Sequence, residues 1–184
     1  MNIVKTHIPG LLVIEPDVFN DPRGYFFESY NASKLGPNGI TARFVQDNES
    51  KSTRGTIRGL HYQKTPYAQT KLVRVIVGEV YDVAVDLRKG SPTFGQWHGV
   101  MLSGENKRQF YIPKGFAHGF SVISETAIFS YKCDVFYNKA SEGGIRYNDP
   151  LLKIDWQIPE SEILVSEKDL ILPEFDQADF NFEM

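Results

Sequence analysis

Residues 71–87 constrain the fold more than any other stretch, because they read as two consecutive strands. Val73, Val75 and Val77 alternate with Arg74 and Ile76; beyond Gly78-Glu79, which read as a turn or bulge, Val80, Val83, Val85 and Leu87 are broken by Asp82 and Asp86. Successive side chains of a strand point to opposite faces, so a period of two marks β structure. Similar runs recur at 10–16, 24–29, 42–48, 56–62, 99–102, 108–112, 119–122 and 127–135, separated by Gly, Pro and Asn. Many short strands in one chain predict a sandwich or a closed barrel. Helix signals are few. Asn31 caps a short helix through Leu35, which Gly36-Pro37 stops. Segments 159–164 and 166–170 make a turn or two each, with Ser166 and Asp169 as a capping pair. The acidic and aromatic stretch 173–184 packs as a tail whose docking place the sequence does not specify.

The chain has 184 residues, the length of one domain spanning 1–184. A chain of this size buries roughly 70% of its unfolded surface, so its core needs no disulfide or metal. An apolar fraction of 41% with 13% aromatic residues excludes a disordered chain. A net charge of −3 gives no basis for nucleic acid or an anionic membrane as partner. No apolar run approaches the ~20 residues that span a bilayer, and residues 1–7 lack the apolar core of a signal peptide. The single Cys133 can form no internal disulfide and reads as a small buried residue. A cytoplasmic, reducing setting is expected.

The chemistry concentrates around Arg58-Gly59-Leu60-His61-Tyr62-Gln63 and Lys71-Leu72-Val73, with a second histidine in Pro113-x-Gly115-x-x-His118. A histidine and a lysine brought together suit proton abstraction beside a carbonyl. The imidazole takes the proton and the ammonium stabilises the oxyanion. There is no Gly-rich phosphate loop, no G-x-S-x-G and no Cys/His zinc spacing. His7 and His98 match no motif and read as surface or packing residues.

Pro113-x-Gly115-x-x-His118 resembles the second half of the cupin signature. In the first half, Gln63 occupies the place of the second metal-binding histidine, and Lys71, with six residues between it and Gly78, that of the glutamate. A cation at a ligand position opposes metal binding, so no metal is expected. Further motifs follow in order: Asp21-x-Arg23-Gly24-x-Phe26-x-Glu28, Gln46-Asp47-Asn48-x-Ser50-x-Ser52, Asp82-Val83-x-Val85-Asp86-Leu87-Arg88, Ser91-Pro92-Thr93, Tyr131, Tyr137, Glu142-x-Gly144 and Ser166-x-Lys168-Asp169. Together, over about residues 10 to 170, they resemble the dTDP-4-dehydrorhamnose 3,5-epimerases of dTDP-L-rhamnose synthesis.

That resemblance implies a mainly β, cupin-type double-stranded jelly-roll barrel with a few short helices, mostly near the C-terminus, assembled as a homodimer with strand exchange. It implies a dTDP-linked 4-keto-6-deoxy sugar as substrate and no cofactor. By residue, it implies His61 as general base, oriented by Asp169, with Lys71 at the C4 oxygen and Tyr131 as general acid. Arg23, Arg58 and Lys168 would meet the diphosphate. Glu28, Gln46, Asp47, Asn48 and Glu142 would contact nucleotide and sugar, Phe26 and Tyr137 the thymine, and His118 the sugar. Epimerases acting at one centre, and keto-sugar isomerases, share such motifs. A barrel that only binds nucleotide sugar is the reading from another class, and base, cation and acid together speak against it.

Overall fold

Gly78 is where the chain passes from one sheet of a two-sheet barrel to the other. The computed structural model describes residues 1–184. The two strands that flank Gly78, Lys71–Val77 and Glu79–Asp86, do not pair with each other and lie in opposite sheets. Gly78 has φ +81°, and a Cβ there would stand 2.0 Å from the carbonyl oxygen of Thr126, so only glycine makes this crossing.

In chain order the strands are β1 (Asn2–Lys5), β2 (Leu12–Glu15), β3 (Phe19–Asp21), β4 (Gly24–Phe26), β5 (Gln46–Thr53), β6 (Thr56–Gln63), β7 (Lys71–Val77), β8 (Glu79–Asp86), β9 (Trp97–Ser103), β10 (Gln109–Ile112), β11 (Phe116–Val122), β12 (Thr126–Cys133), β13 (Glu142–Gly144) and β14 (Leu164–Val165). The first sheet runs β1-β2-β10-β7-β12-β5. The second runs β13-β6-β11-β8-β9, with β14 parallel to β6. This is the mainly β jelly-roll barrel of cupin type that the motifs imply. No helix is long and apolar enough to cross a membrane.

Alternation along β8 explains how the second sheet is buried on both faces. Val80 and Ala84 join Phe110, Phe120 and Phe129 in the core between the sheets. Val83 and Val85 face the other way, into a second core that Leu152, Trp156 and Phe182 cover. A third, smaller core packs Leu35 and Ile40 against Ile14, Leu72 and Tyr111 on the first sheet. Phe110 and Phe129 are almost wholly buried, and truncating either to alanine costs about 3–5 kcal/mol.

Several expectations are corrected. The strand expected at 42–48 begins only at Gln46 and continues to Thr53, and 24–29 shortens to β4, which pairs with β3 in a separate hairpin. Asn31 does cap α1 (Ala32–Leu35), accepting from the Ser33 and Lys34 amides, and the α-helix ends before Gly36-Pro37 as expected. Those residues open a 3-10 turn, Gly36–Asn38, because proline fits a first helical turn. Segment 159–164 holds a 3-10 turn, Glu160–Glu162, and then enters β14. Strands β1, β3, β13 and β14 escaped the sequence reading, being two to four residues long with too little length to display a period. The tail docks on the second sheet: Phe182 packs edge-on to Tyr62, and Lys89 donates its amide to the Phe182 carbonyl.

Candidate active site

A cavity of about 500 Å³ opens between the two sheets. The second sheet supplies His61 and Arg58 from β6 and His118 from β11, where His61 and His118 are direct cross-strand partners. The first sheet supplies Lys71 from β7, Tyr131 from β12 and Asn48 from β5. Tyr131 shares its strand face with Phe129 and Cys133, so alternation turns its ring inward. Asp169 and Lys168 arrive from α2 (Glu167–Leu170), which Ser166 caps by accepting the Asp169 amide. Beside both histidines, β6 and β11 come unusually close. Gly59, at φ +115°, could carry no Cβ without meeting the Gly119 Cα and the His118 oxygen at 2.6 Å.

Two histidine–aspartate pairs face this space. His61 Nε2 lies 2.7 Å from Asp169 Oδ1, and the other Asp169 oxygen accepts from the Gly59 amide at 3.3 Å. Burial pushes the Asp169 carboxyl up. The hydrogen bond and charge of His61, with smaller help from Gly59 and Lys168, outweigh burial and hold it below the usual carboxylate range. His118 Nε2 lies 2.9 and 3.0 Å from the two oxygens of Asp82, a residue with no exposed surface. Burial pushes the Asp82 carboxyl up against the pull of His118 and Lys71, and burial pushes the His118 imidazole down.

Lys71 stands near the Asp82 and Glu142 carboxyls without an ion-pair partner. Burial lowers its pKa, while Cys133, Asp82 and Glu142 pull it up. Its ammonium lies 5.8 Å from the centre of the Tyr131 ring. Every buried side-chain nitrogen and oxygen has a hydrogen-bond partner. The Lys71 ammonium, the Tyr131 hydroxyl and His118 Nδ1 make no hydrogen bond, so each is open to the cavity they line. Burial raises the pKa of Tyr131, keeping its hydroxyl protonated and able to donate. Burial also pushes the Cys133 thiol up to about 11, so it stays an uncharged core residue.

A second constellation forms the rim. Tyr137 and Lys168 both donate to Glu142, at 3.0 and 2.6 Å. The Gln46 side chain accepts from the Tyr137 amide and donates to Asn48, tying the rim to β5. Arg58 donates to Ser52 at 3.0 Å. Gln63, at the second histidine position of the cupin pattern, spends its amide on the Tyr67 carbonyl and the Asn138 amide.

Seven expected residues do not line the cavity: Gln46, Tyr137 and Glu142 belong to the rim network, and Asp47, Arg23, Phe26 and Glu28 lie apart from both. Asp47 falls on the other face of β5, paired with Lys132 at 2.9 Å, because period two alternates it away from Gln46 and Asn48. Arg23 and Phe26 belong to the β3–β4 hairpin, which pairs with neither main sheet, and Glu28 just beyond it pairs with Lys34. Asp82 is the residue that the sequence reading left without a role. Its signal was an acidic residue inside the apolar run of β8, on the face that Val80 and Ala84 turn to the core.

The match to known proteins extends over nearly the whole chain. A family model described as dTDP-4-dehydrorhamnose 3,5-epimerase matches residues 5–177. The dTDP-4-dehydrorhamnose 3,5-epimerase of Shigella flexneri is 55% identical over 181 residues, covering 98% of this chain and 99% of the relative. The crystal structure of dTDP-6-deoxy-D-glucose-3,5-epimerase from Legionella pneumophila, in complex with dTDP-4-keto-L-rhamnose, is similar at a TM-score of 0.93 and 55% identity, over 97% of this chain and 94% of that one. A 3'-monoepimerase of Streptomyces bikiniensis, in complex with dTDP-quinovose, is similar at 0.84 and 31%, over 92% and 85%. With such similarity along nearly its full length, the chain belongs to the dTDP-4-dehydrorhamnose 3,5-epimerase family.

Proposed function

We propose that the protein is an isomerase that epimerises C3 and C5 of dTDP-4-dehydro-6-deoxy-D-glucose, giving dTDP-4-dehydro-L-rhamnose. The convergence of His61, Lys71 and Tyr131 on one cavity from opposite sheets carries this reading. The C4 ketone acidifies the protons on its two neighbouring carbons. His61 removes one, and the electron pair moves into an enolate whose oxygen lies at Lys71. Tyr131 then protonates the carbon from the opposite face, which inverts the centre; solvent exchange resets both groups. A preplaced cation acts where charge develops, so it stabilises the transition state more than the bound ketone. The bond from Asp169 sets the His61 tautomer, leaving Nδ1 as the acceptor.

The diphosphate is assigned to Arg58 and Lys168, and the thymine to the exposed Tyr137 ring. Asn48, Gln46, Glu142 and His118 hold nucleoside and sugar. Arg23, Phe26 and Glu28 are assigned to the cavity of a partner in a homodimer. Phe19, Tyr25 and Phe26 are 55–66% exposed on one hairpin, an apolar patch that association would cover. The setting is assigned to the cytoplasm.

Incubation with dTDP-4-keto-6-deoxyglucose in deuterated water tests the reaction, and NMR is expected to find deuterium at both C3 and C5. Label at one carbon only would favour the single-centre reading that the Streptomyces bikiniensis relative represents. No label at all would sink the epimerase reading for this substrate.

A further inference from the structure

The β3–β4 hairpin pairs with neither main sheet, yet it is held against the molecule along one side. Lys107, in the turn between β9 and β10, places its ammonium 3.8 Å from the centre of the Tyr25 ring. Arg74 of β7 lies 5.8 Å from the centre of the Phe27 ring. Gln109, the cross-strand partner of Arg74 on β10, is 2% exposed and donates to the Ser29 carbonyl at 2.8 Å. The Tyr25 and Phe27 rings stand 6.0 Å apart. Side chains two apart on an extended strand share a face, so Phe26 between them turns to the opposite one, where it is 66% exposed. Arg23, at the hairpin turn, keeps 90% of its side-chain surface and pairs only with Asp21 of the same hairpin.

Both cations are set by their own elements. Asn106 accepts from the Ser103 and Arg108 amides and donates to the Met101 carbonyl, which fixes the turn that carries Lys107. Lys107 itself takes φ +56°, a left-handed backbone that lysine adopts uncommonly. Arg74 sits within the first sheet, between β10 and β12. A cation within about 6 Å of an aromatic ring's centre is attracted by the ring's quadrupole. Tyr25 and Lys107 line a separate cavity of about 480 Å³ beside Gly78, where the chain changes sheet, and neither they nor Arg74 and Phe27 line the catalytic one. The hairpin thus has a held face, and the residues it leaves free are Arg23 and Phe26.

We propose that Lys107 and Arg74 are positioning residues that hold the β3–β4 hairpin in the pose from which it presents Arg23 and Phe26 to the cavity of a second copy of the chain, a role that rests on the assignment of those two residues to a partner. Lys107 and Arg74 touch no substrate and act through the hairpin. The test is dTDP affinity by calorimetry, with steady-state kinetics on dTDP-4-keto-6-deoxyglucose. Lys107→Met should raise Kd and KM about two- to fivefold, the worth of one exposed cation–π contact, with kcat, melting temperature and elution volume unchanged. Adding Arg74→Met should weaken binding further. Lys107→Arg keeps a cation over the ring and should restore the parent values. Tyr25→Leu should match Lys107→Met, and the two changes together should cost no more than either alone. Parent affinity in Lys107→Met, a loss in kcat in place of KM, or no restoration by Lys107→Arg would overturn the proposal. Phe26→Ala separates it from the reading beneath it. If Phe26→Ala weakens dTDP binding and Lys107→Met does not, the positioning role alone falls. If Phe26→Ala binds dTDP as the parent does, the assignment of the hairpin to the nucleotide falls, and the positioning role with it.

Discussion

The two histidine–aspartate pairs of the cavity have the same chemistry and different surroundings. In the His61–Asp169 pair the imidazole keeps 32% of its side-chain surface, and the aspartate comes from α2, far along the chain. In the His118–Asp82 pair the side chains keep 8% and 0%, and both come from neighbouring strands of one sheet. An imidazole with one nitrogen held and the ring open to the cavity can exchange protons with a substrate. A carboxylate sealed inside a barrel is costly to charge alone, so it is stabilised by what it faces, His118 and the Lys71 ammonium. Asp82 thus holds His118 in the cavity wall, and Asp169 holds the more open His61.

The largest effect should come from His61→Ala. Loss of a general base typically costs 10²–10⁴ in rate. Deuterium exchange at C3 and C5 should fall together, while binding of dTDP, measured by calorimetry, stays nearly intact. Full activity in this variant would remove His61 as the base. Lys71→Met should follow, with about 10²–10³ lost in turnover, the usual consequence of deleting one oxyanion donor. A change in KM alone would show that Lys71 merely binds the ground state.

Asp82→Asn and Asp169→Asn then separate the pairs by stability. Asp82→Asn keeps the shape but removes the charged acceptor of a buried hydrogen bond, a loss of about 1.5–3 kcal/mol in denaturant unfolding. No measurable loss would mean that the buried pair is already uncharged and weakly bonded. Asp169→Asn should have the smallest effect, seen mainly in its pH dependence. The folded pKa of Asp169 lies below its unfolded value, so its stabilisation is complete above the ordinary carboxylate pKa, about 3.9, and is lost as the pH falls through the folded value. The variant should show a flatter decline of stability below about pH 4 than the parent. Parallel acid limbs would separate Asp169 from the fold's acid sensitivity.

With Lys71 and Gln63 at two positions of the cupin ligand set, stripping divalent ions with EDTA should leave turnover unchanged; activity lost with EDTA and restored by zinc or manganese would overturn that expectation.

Much of this molecule was legible without coordinates. Alternation in β7, β8 and β12 declared the barrel and the face on which Tyr131 stands, because the two-residue period is a property of the backbone itself. The helix cap at Ser166 was legible for the same local reason, as its hydroxyl reaches only three residues on. Motif spacing pointed to His61, Lys71, Tyr131 and Asp169, and period two alone could have moved Asp47 to the far face. What no local signal carries is pairing across long separations. The sequence did not reveal that Gly78 divides the two sheets, that the tail seats Phe182 beside Tyr62, or that Asp82 meets His118. Nor did it bring His7 to His98, 91 positions apart, with their Nδ1 atoms 3.3 Å from each other. Local periodicity and capping are fixed by bonds within a few residues. Which strand lies beside which is decided by burying all the apolar faces at once, and only the tertiary structure records that outcome.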